Sequence, residues 1–189
     1  MNTRAYLLEF QNRSQSISVA ASPQVKETKW LPLSCGGIKT NYDGATFGDS
    51  GEAGIGVVVR LDSGEVLAAL SEKIALPSSV VVLKALVAPR AAQFVVELGL
   101  HQSIFEGDSE LVYKALISCS SPQSSIEHII KDTLSIASSL RTHSFSHTLK
   151  RGNSVAHALA RRVRSSFPLL VWMGDVQPDI FRFVTSDFP

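Results

Sequence analysis

Three strand-like segments joined by short turns dominate the first half of the chain and restrict the possible folds most. The segments are Ile38–Ala45, Gly54–Leu61 and Val66–Ala75, and the turns contain Asp-Ser-Gly tripeptides at 49–51 and 62–64. Turn residues between strand-like runs indicate hairpins. Connections this short join antiparallel strands, because a parallel crossover needs a dozen or more residues. The sequence therefore predicts an antiparallel meander.

Helical and strand patterns alternate through the rest of the chain. We predict helices over about 79–98, 108–117, 126–140 and 153–165, with strands over 103–106 and 142–149. Pro89 lies inside the first helix and is expected to kink it, since an interior proline costs about 3 kcal/mol. The order βββαβααβα predicts an α/β fold, in which helices flank a mixed five-stranded sheet.

The length of 189 residues fits one domain with short additions. Hydrophobic residues make up 44% and charged residues 19%, which supports a core of ordinary size. We predict a poorly ordered leader over residues 1–28, a folded domain over 29–168, and a C-terminal tail over 169–189 that packs on the domain or trails it. No apolar run reaches transmembrane length, so no membrane partner is expected.

The two cysteines, Cys35 and Cys119, show neither metal-ligand spacing nor a disulfide framework. They fit a reducing compartment and are interpreted as small hydrophobic residues. The apolar run at residues 5–10 is too short for a secretory signal and includes Glu9. We expect an intracellular protein of the nucleus or cytoplasm, without organelle targeting.

A long acid-free segment gives the C-terminal part of the chain a basic character. Residues 134–173 contain no Asp or Glu, although the net charge of the whole chain is only +1. The segment carries Arg141, Lys150, Arg151, Arg161, Arg162 and Arg164. Such a patch is typical of phosphate binding, and the alternative is a solvated helix face whose cations suit the helix dipole.

Two aspartates and one histidine are candidate site residues. Asp43 lies in a strand, where Asp is disfavoured, and this favours a functional role. The alternative is an aspartate on a polar strand face, whose carboxylate is hydrogen-bonded to water. Asp108 follows a later strand and could hold Mg²⁺ or cap the next helix. His157 could bind a softer metal, move protons near pH 7, or be a plain surface residue.

Two further residues are predicted to meet nucleic acid. Gly44 would let another backbone approach the site closely. Asn153 is interpreted first as the cap of the last helix and secondly as a phosphate contact.

Three motifs together resemble a known family. They are Lys39-x-Asn41-x-Asp43-Gly44-Ala45, Glu106-Gly107-Asp108-Ser109 and Asn153-x-x-Ala156-His157-x-Leu159-Ala160. In this order they resemble the ribonuclease H type 1 domain, and more narrowly its plant, reverse-transcriptase-associated group derived from retroelements. The resemblance covers about Trp30 to Asp187. It implies a ribonuclease H-like fold and metal-dependent endonucleolytic hydrolysis of RNA in RNA–DNA hybrids.

The resemblance also implies roles for individual residues. The family holds two metal ions, Mg²⁺ or Mn²⁺, with four carboxylates. Asp43 and Asp108 match two of them and would be the metal ligands, and with His157 they would form the catalytic set. His157 stands where the last helix should supply aspartate, although plant relatives often carry histidine there.

The resemblance places Lys84 where the first helix should supply glutamate. A protonated lysine cannot bind Mg²⁺, and two carboxylates against one ammonium leave a single net negative charge. Glu97 cannot replace it, because 13 residues of helix separate the two by about 20 Å. We therefore expect Lys84 to take the place of a cation and neutralise Asp43 and Asp108.

The predicted function is therefore that of a nucleic-acid-binding, ribonuclease H-like protein whose hydrolysis is impaired by Lys84. Its expected partner is an RNA–DNA hybrid, contacted by Gly44, Lys150, Arg151, Asn153 and Arg161. We expect a monomer without a protein partner, and no cofactor if activity is lost. The alternatives are a non-catalytic nucleic-acid-binding module and a decaying retroelement remnant.

Overall fold

A six-stranded mixed sheet runs through the computed structural model, which describes residues 37–119, 124–174, 176 and 178–187. The strands are β1 (Ile38–Phe47), β2 (Glu52–Leu61), β3 (Val66–Ala75), β4 (Gln102–Gly107), β5 (Thr142–His147) and β6 (Leu169–Met173). The helices are α1 (Val80–Glu97), α2 (Glu110–Ser118), α3 (Ser124–Ala137), α4 (Ser154–Arg162) and α5 (Pro178–Asp187). The predicted leader over 1–28, Trp30 and Cys35 lie outside the described residues.

The sheet has the order β5-β4-β1-β2-β3-β6 and places β1 near its centre. The predicted meander is present, since β1 pairs antiparallel with β2, and β2 with β3. On the other side β1 pairs in parallel with β4, and β4 with β5. Because β1 and β4 run in the same direction, the residues at their C-terminal ends lie at one edge of the sheet.

The prediction of five strands is wrong by one, because Leu169–Met173 forms β6. This strand pairs antiparallel with β3, with Trp172 opposite Ala69. β3 would otherwise be an edge strand with a row of open backbone groups, and β6 satisfies them. Part of the predicted C-terminal tail is therefore a strand of the main sheet.

Helix α1 runs without a break through Pro89. The Ser79 side chain caps its first turn by accepting a hydrogen bond from the Val82 amide, at 3.2 Å. Its C-terminal end is followed by Gly99, whose φ of +69° suits glycine. Pro89 thus does not divide the helix, although it removes one backbone donor.

The sheet carries helices on both faces. Helices α1, α2 and α3 bury the larger apolar core on one face, and α4 packs against β1, β2 and β3 on the other. A Cβ atom at Gly56 would lie 2.2 Å from the carbonyl oxygen of Ala156, and one at Gly54 would lie 2.0 Å from that of Ala160. Only glycine lets the backbone of α4 rest directly on β2.

Among the described residues, no helix combines the length and the apolar character that a membrane crossing requires.

Candidate active site

Four polar side chains from four different elements meet at one edge of the sheet. Asp43 lies on β1, Lys84 on α1, Asp108 directly after β4, and His157 on α4. We call these four residues the Lys84 cluster. The parallel pairing of β1 with β4 brings the two aspartates together, and the helices on opposite faces supply the two basic groups.

Lys84 joins the two carboxylates. Its Nζ atom donates a hydrogen bond to Oδ1 of Asp43 and another to Oδ1 of Asp108, the latter at 2.6 Å. The Asp43 side chain is only 2% exposed, that of Asp108 7%, and that of Lys84 19%. The ammonium group therefore lies between two largely buried carboxylates and compensates their charge.

Asp43 has further donors besides Lys84. The His157 ring donates from Nδ1 to Oδ2 of Asp43 at 2.7 Å, and the Gly44 amide donates to Oδ1 at 2.7 Å. His157 keeps about half of its side chain exposed. Both oxygens of the Asp43 carboxylate are thus engaged, while the histidine ring remains accessible from outside.

The cluster holds both Asp43 and Lys84 in their charged forms. Burial raises the pKa of Asp43, but the hydrogen bond from His157 and the Lys84 ammonium outweigh it and hold that pKa below its ordinary value. Burial lowers the pKa of Lys84, but Asp43 and Asp108 outweigh it and raise that pKa. The ion pairs therefore persist over the whole neutral range.

Acid should weaken the fold through Asp43. A lowered carboxyl pKa adds stability above the ordinary value of 3.8, and this stability is lost as the pH falls through the lowered pKa. Lys84 acts in the opposite range, adding stability below 10.5 that disappears as the pH rises through its raised pKa. Urea unfolding at pH 7 and pH 3 should show a smaller difference for Asp43→Asn than for the native chain.

Exposed Asp132 offers the matched control for this pH experiment. Asp132→Asn should leave the loss of unfolding free energy between pH 7 and pH 3 close to the native value. An equal pH dependence in Asp43→Asn and the native chain would contradict the prediction.

The donor set does not fit a pair of magnesium ions. Mg²⁺ is held by carboxylate oxygens, and Lys84 already bonds one oxygen of each aspartate. Within the residues that the structure describes, no group of three His, Cys, Asp or Glu side chains is arranged to hold a metal ion. The metal-ligand roles of Asp43 and Asp108 remain predictions.

Asp108 does not cap α2. The N-cap is Ser109, whose side chain accepts from the Val112 amide at 3.5 Å. The alternative interpretation of Asp108 as a helix cap is therefore wrong, and its carboxylate instead bonds Lys84.

A buried polar network lies beside the cluster. Lys39 Nζ lies 3.1 Å from Oε1 of Glu106, and the Asn41 side-chain amide donates to Oε2 of Glu106 at 3.0 Å. Lys39, Asn41 and Asp43 alternate along β1 and so face the same side of the sheet. The alternation of these three residues in the sequence predicts their shared face, whereas the bond from Asn41 to Glu106 joins residues 65 positions apart and has no local signal.

Gly44 faces a helix rather than an open groove. A Cβ atom there would lie 2.7 Å from Cγ of Leu83 and 3.1 Å from Cγ2 of Val87, both on α1. The close approach predicted at Gly44 is therefore made by α1. The nucleic-acid contact at this position stays a prediction.

Asn153 occupies the N-cap position of α4 but makes no capping hydrogen bond. Its buried side-chain amide instead donates to the carbonyl oxygen of Tyr42, at 3.0 Å. The predicted position at the start of the helix is confirmed, but the side chain is directed to a strand carbonyl and its Oδ1 caps no amide. Asn153 thereby ties the start of α4 to β1, next to Asp43.

Removing this tie should destabilise the protein. Asn153→Ala leaves the Tyr42 carbonyl without its side-chain donor and should lower the free energy of unfolding by about 1–3 kcal/mol. Asn153→Asp should cost more, because it buries a charge against a carbonyl oxygen. Urea unfolding at pH 7 measures both changes, and the prediction fails if Asn153→Asp is as stable as the native protein.

The predicted basic contacts are exposed near the cluster. Lys150 and Arg151 lie in a 3₁₀ turn, Lys150–Asn153, that leads into α4. Arg161 is exposed one helical turn beyond His157. The structure thus brings together Asp43, Lys84, Asp108 and His157, and it leaves these basic groups on the surface around α4.

Comparison with known proteins supports the fold. A family model described as reverse transcriptase-like matches residues 41–163. RNase H1 from the archaeon Halobacterium salinarum has a similar structure, with a TM-score of 0.62 and 21% identity over 67% of this chain and 96% of that one. No curated protein sequence matches the chain.

Two other solved structures are similar. An RNase H1 isolated from compost has a TM-score of 0.60 and 22% identity, over 67% of this chain and 94% of that one. The N-terminal RNase H domain of a Mycobacterium tuberculosis protein has a TM-score of 0.59 and 23% identity, over 66% and 91%. With the family match over more than half of its residues, the chain belongs to the reverse transcriptase-like family and has a ribonuclease H-like fold.

Proposed function

We propose that the protein binds nucleic acid, with RNA–DNA hybrid as its preferred form, and that its hydrolytic activity is impaired. The observation that carries this proposal is the position of Lys84, which bonds both Asp43 and Asp108. We also propose that the protein is an intracellular monomer and that it binds no metal ion. Its sequence is proposed to derive from a retroelement of plant type.

The impairment follows from the charge of the Lys84 ammonium and from its hydrogen bonds to carboxylate oxygens that a metal ion would need. A metal ion at Asp43 and Asp108 would have to displace an ammonium group that already makes two charge-assisted hydrogen bonds. The displaced ammonium would then lie beside a divalent cation at a largely buried site. Two carboxylates compensated by one lysine attract Mg²⁺ far less than the four carboxylates of the family pattern.

The same neutralisation favours binding without metal. A strongly acidic site repels phosphate unless metal ions are present, whereas here Lys84 has already compensated most of the charge. Exposed Lys150, Arg151 and Arg161 add positive charge around α4. One similar structure, that of the compost RNase H1, is described as a complex with an RNA/DNA hybrid, and this favours the hybrid as the form to test.

A combined binding and cleavage assay tests the proposal. Fluorescence anisotropy with a labelled hybrid, duplex DNA and duplex RNA of one sequence, each with EDTA and at several salt concentrations, measures affinity. Denaturing gels with Mg²⁺ and with Mn²⁺ measure cleavage. We expect steeply salt-dependent binding that is tightest for the hybrid, with no cleavage. Cleavage at ordinary enzyme rates overturns the impairment, and no binding at low salt overturns the binding function.

A further inference from the structure

A cleft separates α4 from α5 directly beside the Lys84 cluster. Its volume is about 270 Å³. From α4 it is lined by His157, Ala158, Arg161 and Arg162, and from α5 by Asp179, Ile180, Arg182 and Phe183. The cleft thus has three arginines and one carboxylate around an apolar floor.

Arg162 holds the two sides of the cleft together. Its guanidinium bonds Oδ2 of Asp179 on α5 and lies 5.4 Å from the centre of the Trp172 ring on β6. The Arg162 side chain is only 17% exposed. Asp179, the one carboxylate among the described residues that line the cleft, is therefore already compensated, and Arg162 has a structural role.

Arg161 and Arg182 remain available to a ligand. Both are exposed, and among the described residues neither guanidinium has an ion pair or a hydrogen bond. The Arg182 guanidinium lies 4.8 Å from the centre of the Phe183 ring, and both side chains line the cleft. The cleft therefore presents two uncompensated cations, one of them stacked on an aromatic ring.

We propose that this cleft binds the phosphate backbone of single-stranded nucleic acid. Arginine donors match phosphate oxygens in geometry and charge. Arginines combined with an aromatic ring are typical of surfaces that hold single strands without sequence preference. The cleft is smaller than the usual pocket for a drug-sized ligand, about 300–1,000 Å³, so it accepts a short stretch of backbone.

His157 connects the cleft to the Lys84 cluster. One side of its ring bonds Asp43, and the ring also lines the cleft. The cleft therefore adjoins the cluster, and we expect the single-stranded end of a hybrid held at the cluster to enter the cleft. This inference rests on the proposed function, and it concerns α5, which lies outside the residues 41–163 matched by the family model.

A double substitution tests the cleft. The full chain, Arg161→Ala/Arg182→Ala and the control Lys114→Ala/Lys131→Ala are compared for binding to a fluorescent 12-nucleotide thymidine strand and to a blunt 12-base-pair hybrid. The control removes the same formal charge from two exposed lysines on α2 and α3, outside the cleft and outside the acid-free basic segment. We expect about tenfold weaker strand binding for the cleft variant, with a salt slope reduced by about one to two, and under about twofold weakening for the control.

The outcomes separate this inference from the proposed function. If strand binding weakens equally in the cleft and control variants, the cleft is not a strand-binding site, and the proposed binding of the hybrid is unaffected. Cleft-dependent strand binding without a preference for the hybrid supports the cleft and overturns the hybrid preference. If the native chain binds neither probe at low salt, both proposals are wrong.

Discussion

Replacing Lys84 with glutamate is expected to give Mg²⁺-dependent cleavage of RNA in an RNA–DNA hybrid, at a rate well above that of the native chain. The substitution removes the ammonium from between Asp43 and Asp108 and adds a third carboxylate on α1. Three carboxylates with His157 at the sheet edge form a far better site for hard cations. Gel analysis of a labelled hybrid in Mg²⁺ and in Mn²⁺ measures the gain.

Lys84→Gln is the matched control, because it removes the charge without adding a carboxylate. Lys84→Glu/Asp43→Asn should be inactive, since it loses the aspartate on β1. Lys84→Glu should also gain thermal stability when Mg²⁺ is added, by about 2.7 kcal/mol at 100 times its Kd, and the native chain should not. If Lys84→Glu shows neither cleavage nor stabilisation by Mg²⁺, the proposal that Lys84 impairs the site is overturned.

Replacing Lys84 with methionine should lower the free energy of unfolding by about 3–5 kcal/mol. The substitution keeps an unbranched apolar side chain but removes the ammonium group, and so leaves two neighbouring, largely buried carboxylates without their cation. Removing one partner of a buried ion pair is expensive because the remaining charge stays desolvated. Urea unfolding at pH 7 measures the loss.

Lys114→Met is the control for this experiment. Lys114 pairs with Glu110 on the surface of α2, where both side chains are about two-thirds exposed, so its loss should cost at most about 0.5 kcal/mol. Adding Asp43→Asn and Asp108→Asn to Lys84→Met should recover much of the stability. If Lys84→Met is no worse than Lys114→Met, the ammonium does not stabilise the carboxylates.

The central architecture could be predicted because its signals are local. Short Asp-Ser-Gly turns dictate hairpins, so the antiparallel meander of β1 to β3 follows from the sequence. Strands β1 and β4 are parallel, with Asn41 opposite Glu106, and this register places Asp43 level with Asp108. Lys84 was expected to neutralise both aspartates, and in the structure its Nζ atom bonds both.

Other features depend on contacts between distant segments and could not be predicted. Nothing local in Leu169–Met173 shows that β3 is the strand it pairs with. Helix α1 covers one side of Gly44, and which side it covers depends on how α1 crosses β1. The Asn153 side chain bonds the Tyr42 carbonyl, which lies 111 positions earlier in the sequence. The cleft beside His157 likewise requires α5 to pack on α4, which strand and helix patterns do not encode.

The two glycines of β2 determine which parts of the site are able to move. Because the backbone of α4 rests directly on Gly54 and Gly56, no side chain at these two positions can rearrange and let this helix slide. His157 and Asp43 therefore belong to one stiff unit. We therefore expect any adjustment to a bound strand to come from the long side chain of Lys84 or from α5. The contact between α4 and β2 is expected to stay fixed.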